Sequence, residues 1–388
     1  MPVPSQRKYD EINTENAAKY RRKIKRLYNN AINEVAELSY KISLDKNNEF
    51  YWKNNPKLSK KVDSIISQLN YDVKSVTVSG IGEEWGLAVN KHNELATYAA
   101  GDLLSELPDA YKKKWFTNNE SALNEFIKRK DNGLGLSEKI WENSKQLKYE
   151  LELALEVGIK DGRSAANLSR EIRTYLNEPD KLFRKVRNNQ TEINKEIKVL
   201  NELKASNASK IDIVKSESTI AQLKQKGTLR LSKSAQAYSP GQGRYRSSYK
   251  NALRLSSNEI NASYELSQFE KRKGQDFIVG IEIRTTPGWT SAVDKGGIIC
   301  GDLAGRYPKS FDFSNKFHVN CRCQSYNVLK TRDELDNDIA RILNGKEPLK
   351  RSVNSIYSKP KNYTNYIVEN KEKWANWKTP PRTFTINA

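Results

Sequence analysis

Three cysteines and one of the chain's two histidines fall within residues 300–323: Cys300, then His318, Cys321 and Cys323 in the run Phe-His-Val-Asn-Cys-Arg-Cys. Thiolate and imidazole together form the ligand set of a closed tetrahedral zinc site. If Cys321 to Val328 run as a strand, side chains two apart share a face, so Cys321 and Cys323 point one way and Arg322 the other. His318 then reaches in from the preceding turn, and Cys300, across a loop, supplies a fourth ligand. A site with four protein ligands has no open position and is structural. It would pin the last third of the chain into a compact module.

Two other uses of these residues stay open. Buried thiols also serve as small hydrophobes, with the histidine satisfied in a loop. A disulfide would leave one of three sulfurs over, and with no apolar N-terminal stretch resembling a signal peptide, an oxidising destination is not expected.

Outside this segment the chain has the pattern of helices. Ile24, Leu27, Tyr28, Ala31, Val35 and Leu38 recur at spacings of three and four, which predicts a helix from about Ser5 to Leu44. Leu58, Val62, Ile65, Ile66 and Leu69 make a second such face after Pro56, and Gly82 to Ser105 a third. Lys139–Lys160 and Arg163–Leu176 continue it, with Gly162 between them and Pro179 as a stop. In residues 190–227, Ile193, Ile197, Leu200 and Leu203 are followed, after a turn at Ala205–Ser209, by Ile211, Val214, Ile220 and Leu223, the seam of an antiparallel helical hairpin. A helix over Asp333–Leu343 follows the cysteines. The final residues, with Tyr363, Tyr366, Trp374, Trp377 and Phe384 among Pro360, Pro380 and Pro381, have the pattern of a short helix in an extended arm. Such an arm either docks on a partner or wraps back on its own chain.

Charge adds a second constraint. Sixty-seven Lys and Arg against 47 Asp and Glu leave a formal charge of +20, a balance that favours a polyanionic partner. The clusters at Arg21–Arg26, Lys112–Lys114, Lys128–Lys130, Lys181–Arg187 and Lys271–Lys273 are spread along the chain, which suits sequence-independent phosphate contact or ordinary solvated helix faces. Arg244 to Lys250 interleaves cations with Tyr245 and Tyr249, a mix that suits nucleic acid and equally the start of a helix. Pro240-Gly-Gln-Gly243 lacks the Gly-Lys-Ser/Thr ending of a phosphate-binding loop and is a turn. No stretch is apolar enough to span a membrane. A metal nuclease would want a second histidine near His318, and the other, His92, lies in a helical segment far off, where it is a surface or packing residue. A Cys-His protease would need an orienting third group, for which only Asp302 or Asp312 stand nearby.

The segments Asp-Phe-Ile-Val-Gly-Ile-Glu-Ile (276–283), Cys-Gly-Asp-Leu-Ala-Gly-Arg-Tyr-Pro-Lys (300–309) and Phe-His-Val-Asn-Cys-Arg-Cys (317–323) resemble the tailed-phage minor head proteins of the phage Mu F-like head morphogenesis family, with His-x-x-Cys-Arg-Cys as the most specific mark. Residues 238–261 are similar to the region that precedes this element, although Ser257-Asn258-Glu259 stands where the family usually has Arg-Thr-Glu. Leu303 stands where its Cys-x-x-Cys pair has the second cysteine. The resemblance is clearest over residues 229–329, weaker over 78–188, and absent from the N-terminal end and from 190–227. It implies a virion component, made in the host bacterium's cytoplasm and located at the capsid interior or portal vertex. It also implies a role in head assembly or genome delivery without enzymatic activity. Portal or major capsid protein would be the partner, with double-stranded DNA engaged by charge and self-association left open.

The expected fold is therefore mainly α: a helical N-terminal region over 1–189, a helical hairpin insert over 190–227, a head-morphogenesis-like α+β domain over 228–345, and an aromatic arm over 346–388. Its metal ligands are Cys300, His318, Cys321 and Cys323, with zinc as the ion. The alternatives are a metal-dependent DNA nuclease and a DNA-binding protein unrelated to virions.

Overall fold

A computed structural model describes residues 2–39, 51–160, 164–206, 208–226, 244–285, 298–375 and 382–387. Among them helices dominate, and the strands form one small antiparallel sheet, the mainly α architecture with a C-terminal α+β module expected from the sequence. The helices are α1 (Arg7–Ser39), α2 (Pro56–Ala100), α3 (Asp109–Phe116), α4 (Glu120–Lys128), α5 (Leu136–Lys160), α6 (Ala165–Asn177), α7 (Pro179–Ala205), α8 (Lys210–Lys226), α9 (Ser248–Gly274), α10 (Ile298–Asp302), α11 (Arg332–Leu343), α12 (Lys361–Ala375) and α13 (Arg382–Ile386). The strands are β1 (Ile278–Arg284), β2 (Gly305–Pro308) and β3 (Gln324–Leu329).

Contacts divide the chain into two compact units assembled from separated segments. Residues 1–22, 75–136 and 254–388 make one, and 23–74 with 137–253 make the other. This differs from the consecutive partition expected above.

In the first unit, β1 is the central strand, flanked antiparallel by β2 and β3, so that Ile281 lies opposite both Tyr307 and Asn327. One side chain cluster joins Leu95, Ala99, Trp115, Phe277, Leu335 and Ile339, all buried. Another gathers Ile281, Ile283, Leu303, Tyr307, Phe311, Phe313 and Phe317 around the three cysteines. The segment read as two apolar stripes after Pro56 is one uninterrupted helix of 45 residues, α2. Pro56 suits its first turn, where an N–H would lack a partner anyway, and Gly101, at φ +60, ends it in the left-handed conformation that glycine adopts without a steric penalty. Gly80 inside it serves close packing: a Cβ there would lie 2.6 Å from Ile260 Cδ1. α11 begins with a full capping box, since Thr331 Oγ1 accepts from the Glu334 amide while the Glu334 carboxylate accepts from the Thr331 amide at 2.9 Å.

The aromatic tail wraps back on this chain. Tyr363, Trp374 and Phe384 are buried in the same cluster as the cysteines, and the Trp374 and Phe384 rings stack with centroids 4.9 Å apart. The docking-arm alternative is thereby corrected for these side chains: a core for them exists, made by residues distant in sequence. Trp377, Pro380 and Pro381 lie outside the described residues.

In the second unit, Leu147, Leu151, Leu155, Leu168, Ile172 and Leu176 are buried. Pro179 follows the end of α6 as expected of a stop, and it also opens α7, so the hairpin's first helix starts well before residue 190. α7 and α8 pack on one another across the turn, where the Ala208 amide donates to Leu203 O at 3.0 Å. Ile193 and Ile220 are buried in the seam, but Ile211 and Val214 are 77% and 59% exposed. The seam of α8 runs instead through Ile213, Ser216, Ile220 and Leu223, a 3-4-3 spacing that keeps one face. Ser216 is tolerated there because its hydroxyl donates to Glu196 Oε1 at 3.0 Å.

Part of the basic-aromatic run after Gly243 is internal. Arg244 pairs with Glu142 at 3.0 Å, and Tyr249 is buried with its ring centroid 5.4 Å from that of Tyr28. The Ser248 amide donates to the buried Glu150 carboxylate at 2.9 Å. A helix start accounts for the buried part of this run, Ser247 to Tyr249, while Tyr245 is exposed.

Candidate metal centre

Each of the four candidate ligands is placed by a short piece of the first unit. α10 carries Cys300 and is terminated by the Leu303 amide bonding to Ile299 O at 3.0 Å. After β2 the chain makes two tight turns, with the Lys316 amide donating to Phe313 O at 2.9 Å and the Cys321 amide to His318 O at 3.1 Å. Lys316 and Asn320 both have left-handed backbones, φ 51 and φ 62. Asn is among the non-glycine residues that accept this conformation most readily, so the His-Val-Asn-Cys spacing is the spacing of a turn. The Asn320 amide is held by Asn258 Oδ1 on α9 at 3.0 Å.

The strand expected to begin at Cys321 begins at Gln324. The alternation nevertheless reaches back through the cysteines: Cys321 and Cys323 are buried and Arg322 is exposed. Their sulfurs and that of Cys300 all lie within 4.8 Å of one another, so three buried cysteines could hold a metal ion. Cys300 Sγ and Cys321 Sγ are 3.7 Å apart. A tetrahedron of zinc–sulfur bonds near 2.3 Å sets its sulfurs about 3.8 Å apart.

His318 joins the group through Cys300, its Nε2 standing 2.8 Å from Cys300 Sγ. That is a hydrogen-bond separation, shorter than two ligands of one ion would keep, so coordination would draw the ring back by several tenths of an ångström. Nδ1 is 2.8 Å from Val319 O and donates to it, so Nε2 is the nitrogen turned to the thiols, and it would give up the proton it holds there on binding a metal.

The four groups share protons unequally. Thiol donors from Cys300 and Cys323 turned toward Cys321 hold its sulfur well below the usual thiol range, while Cys300 and Cys323 are raised in exchange. Hydrogen bonding to Cys300 and then Cys321 pushes His318 up to about 11. The cluster is predisposed to hold a thiolate, the form in which cysteine binds metal.

Two residues that sequence reasoning missed brace the loop from behind. The Lys316 ammonium, buried, lies 3.1 Å from the Glu265 carboxylate and donates to Cys323 O at 2.6 Å. Glu265 also accepts from Ser325 Oγ at 2.6 Å and Gln268 Nε2 at 3.0 Å. A lysine between Asn315 and Phe317 has every mark of a surface residue, and no local pattern reveals its burial.

His92 is a packing residue, as one of the two expectations had it. It is fully buried, Nδ1 lies 2.6 Å from Gln275 Oε1, and Asn327 Nδ2 lies 3.2 Å from Nε2. Both ring nitrogens are in use, which removes it as a partner for His318.

No described helix is long and apolar enough to cross a membrane. Compared with known protein families, curated proteins and solved structures, the chain matches none.

Proposed function

We propose that this chain is a non-enzymatic virion component of the minor head protein type, acting in head assembly or genome delivery, with a structural zinc ion on Cys300, His318, Cys321 and Cys323. The observation that carries the reading is the convergence of the His-x-x-Cys-Arg-Cys residues with Cys300. These are the positions on which the resemblance to phage Mu F-like head proteins rests; the three cysteines lie in one aromatic core, with His318 at 2.8 Å from Cys300 beside them. Zinc suits a three-thiolate, one-imidazole donor set, and four protein ligands leave no position for a substrate. The ion would tie α10 to the turns before β3.

A catalytic role for the same residues finds no support in their surroundings. His318 Nδ1 is engaged by a backbone carbonyl, not by a carboxylate, and Asp312 accepts from the Ser314 amide at 2.8 Å. A Cys-His dyad would lack its orienting acid.

The metal is tested on the full chain by elemental analysis, for which about one zinc per chain is expected and less than half removes the ion from the proposal. The virion role is tested by mass spectrometry of intact particles from the source bacterium. The chain should be present in a few copies relative to the major capsid protein, associated with portal or capsid interior, and particles lacking it would overturn the reading.

A further inference from the structure

The five cationic clusters of the sequence separate once their side chains are placed. In Lys271–Lys273 the first two members are 1% exposed, and Lys271 is spent on Asn93 Oδ1 and the carbonyls of Trp115 and Thr117. In Lys112–Lys114 the outer two are bonded to Ser105 O and Asp276. In Lys128–Lys130 the central arginine pairs with Glu259. Lys181–Arg187 falls where side chains are not described. The cluster on α1 is built on another plan.

From Lys19 to Arg26 the two inward positions, Tyr20 and Ile24, are buried, and every exposed position is a lysine or an arginine. These are Lys19, Arg21, Arg22, Lys23, Lys25 and Arg26, and no Asp or Glu stands between Glu15 and Glu34. Two of them are held sideways: Lys19 lies 3.2 Å from a Glu83 carboxylate oxygen, and Arg21 Nη1 donates to Ser257 Oγ at 3.4 Å. Arg22, Lys25 and Arg26 are exposed and meet no hydrogen-bonding or ion-pair partner among the described residues. Residues three and four apart on a helix are neighbours, so Arg22 faces both Lys25 and Arg26, and like charges so placed destabilise the helix. The burial of Tyr20, Ile24 and Tyr28 holds it together against that repulsion. Cations fixed side by side with unused donors favour an anion that spans them.

We infer that the solvent face of α1 over Lys19–Arg26, centred on Arg22, Lys25 and Arg26, is a docking surface for the phosphate backbone of duplex DNA. The inference rests on the proposed role in head assembly or genome delivery, which brings the chain to DNA, and it names the surface that meets it. Eight residues of helix cover about 12 Å of axis. Over that length the duplex presents about seven phosphates, a charge density that the cations of this face match. Lipid fits less well, because a helix lying on a membrane needs its apolar face free to insert, and here Tyr20, Ile24 and Tyr28 are already buried. Protein fits less well too, since no apolar side chain is exposed between Lys19 and Asn33 to centre an interface. Asn30, exposed one turn beyond Arg26, is of a kind that hydrogen-bonds a DNA backbone.

The test measures affinity of the full chain for a 20-base-pair duplex across a salt series. Arg22→Gln/Lys25→Gln/Arg26→Gln should weaken binding at least about tenfold at moderate salt and lower the slope of log affinity against log salt by about 2.7, at roughly 0.9 per phosphate contact. Its urea midpoint should not fall, because the changes remove repulsion from exposed positions, and this separates lost contact from lost fold. Lys113→Gln/Lys130→Gln/Lys215→Gln removes the same net charge from exposed positions on other elements and should change the slope by less than half as much. Arg22→Lys/Arg26→Lys keeps the charges and should keep most of the slope. Equal slopes in the two glutamine variants would overturn the inference. So would a chain that does not retain the duplex at low salt, including one that instead binds phosphatidylserine vesicles through these three residues. No contribution of α1 in a chain found in particles refutes the inference alone. A working contact in a chain absent from particles refutes the virion role alone.

Discussion

The buried ammonium of Lys316 donates to the carbonyl oxygen of Cys323 at 2.6 Å, so a residue from the first tight turn holds the backbone of the last cysteine in place. The same ammonium neutralises Glu265, and both side chains are almost wholly removed from water. Removing one partner of such a pair leaves an uncompensated charge inside, which costs about 3–5 kcal/mol, while removing both costs much less. Lys316→Met is therefore expected to lower the urea midpoint sharply and to weaken zinc uptake. Lys316→Met/Glu265→Gln should recover a large part of both. A single variant as stable as the double would show that the pair is not what braces the loop.

The tail aromatics make a second expectation. Trp374 and Phe384 stack on each other, Phe384 lies parallel to Phe317 with centroids 6.2 Å apart, and Phe317 precedes the candidate ligand His318. Truncating a buried aromatic to alanine costs about 3–5 kcal/mol. Phe384→Ala should lose stability in that range and raise the rate at which a thiol reagent modifies the cysteines in metal-free protein. Unchanged thiol reactivity would mean that the tail covers something other than the cysteine core.

Glu150 makes the stability of the second unit depend on pH between its unfolded and folded titration ranges. Burial pushes it up to about 8, against hydrogen bonds from Ser248 and Gln146 that favour the charged form. A carboxyl raised on folding stabilises fully below its unfolded value near 4.3 and loses that contribution as pH rises through the folded value. Between those limits stability should fall by up to about 1.4 kcal/mol per pH unit from this group. Glu150→Gln can keep the amide contacts, offering its oxygen to Gln146 and the Ser248 amide and its nitrogen to the Ser248 hydroxyl. It should remove this part of the decline, and denaturant titrations at pH 5 and 9 that fall in parallel for both proteins would contradict it.

The sequence makes some of these features readable and hides others, for physical reasons. Cysteine and histidine have few uses, so their convergence could be argued from ligand chemistry before any geometry. The helix read over Asp333–Leu343 has its start signalled by Thr331 and Glu334, a pair that satisfies backbone donors locally. What a side chain from a distant segment will cover is not a local property. The tail's aromatics were recognisable as apolar, yet their burial against Phe317 depends on a core built from separated segments. The register of α8 was misplaced for a related reason: Ile211 and Val214 are better hydrophobes than Ser216, but the seam accepted the serine because Glu196 on the facing helix satisfies it. Nothing local shows why residue 80 is a glycine; the reason is a close approach, since a Cβ there would lie 2.6 Å from Ile260 Cδ1.

His92 sets the acid side of the stability profile. Burial drives its pKa well below the usual value, and Arg272, Lys91 and Lys271 nearby oppose a further positive charge, outweighing the hydrogen bond to Gln275. In the unfolded chain the imidazole titrates near 6.5, so as pH falls below that value the unfolded state takes up a proton that the folded state refuses. Stability should then be lost at up to about 1.4 kcal/mol per pH unit from this residue alone. His92→Gln retains a donor for Gln275 and an acceptor for Asn327 but cannot titrate. Urea unfolding at pH 7.5 and 5.5 should therefore show a smaller drop for the variant than for the native chain, and equal drops would mean that the acid sensitivity resides in other groups.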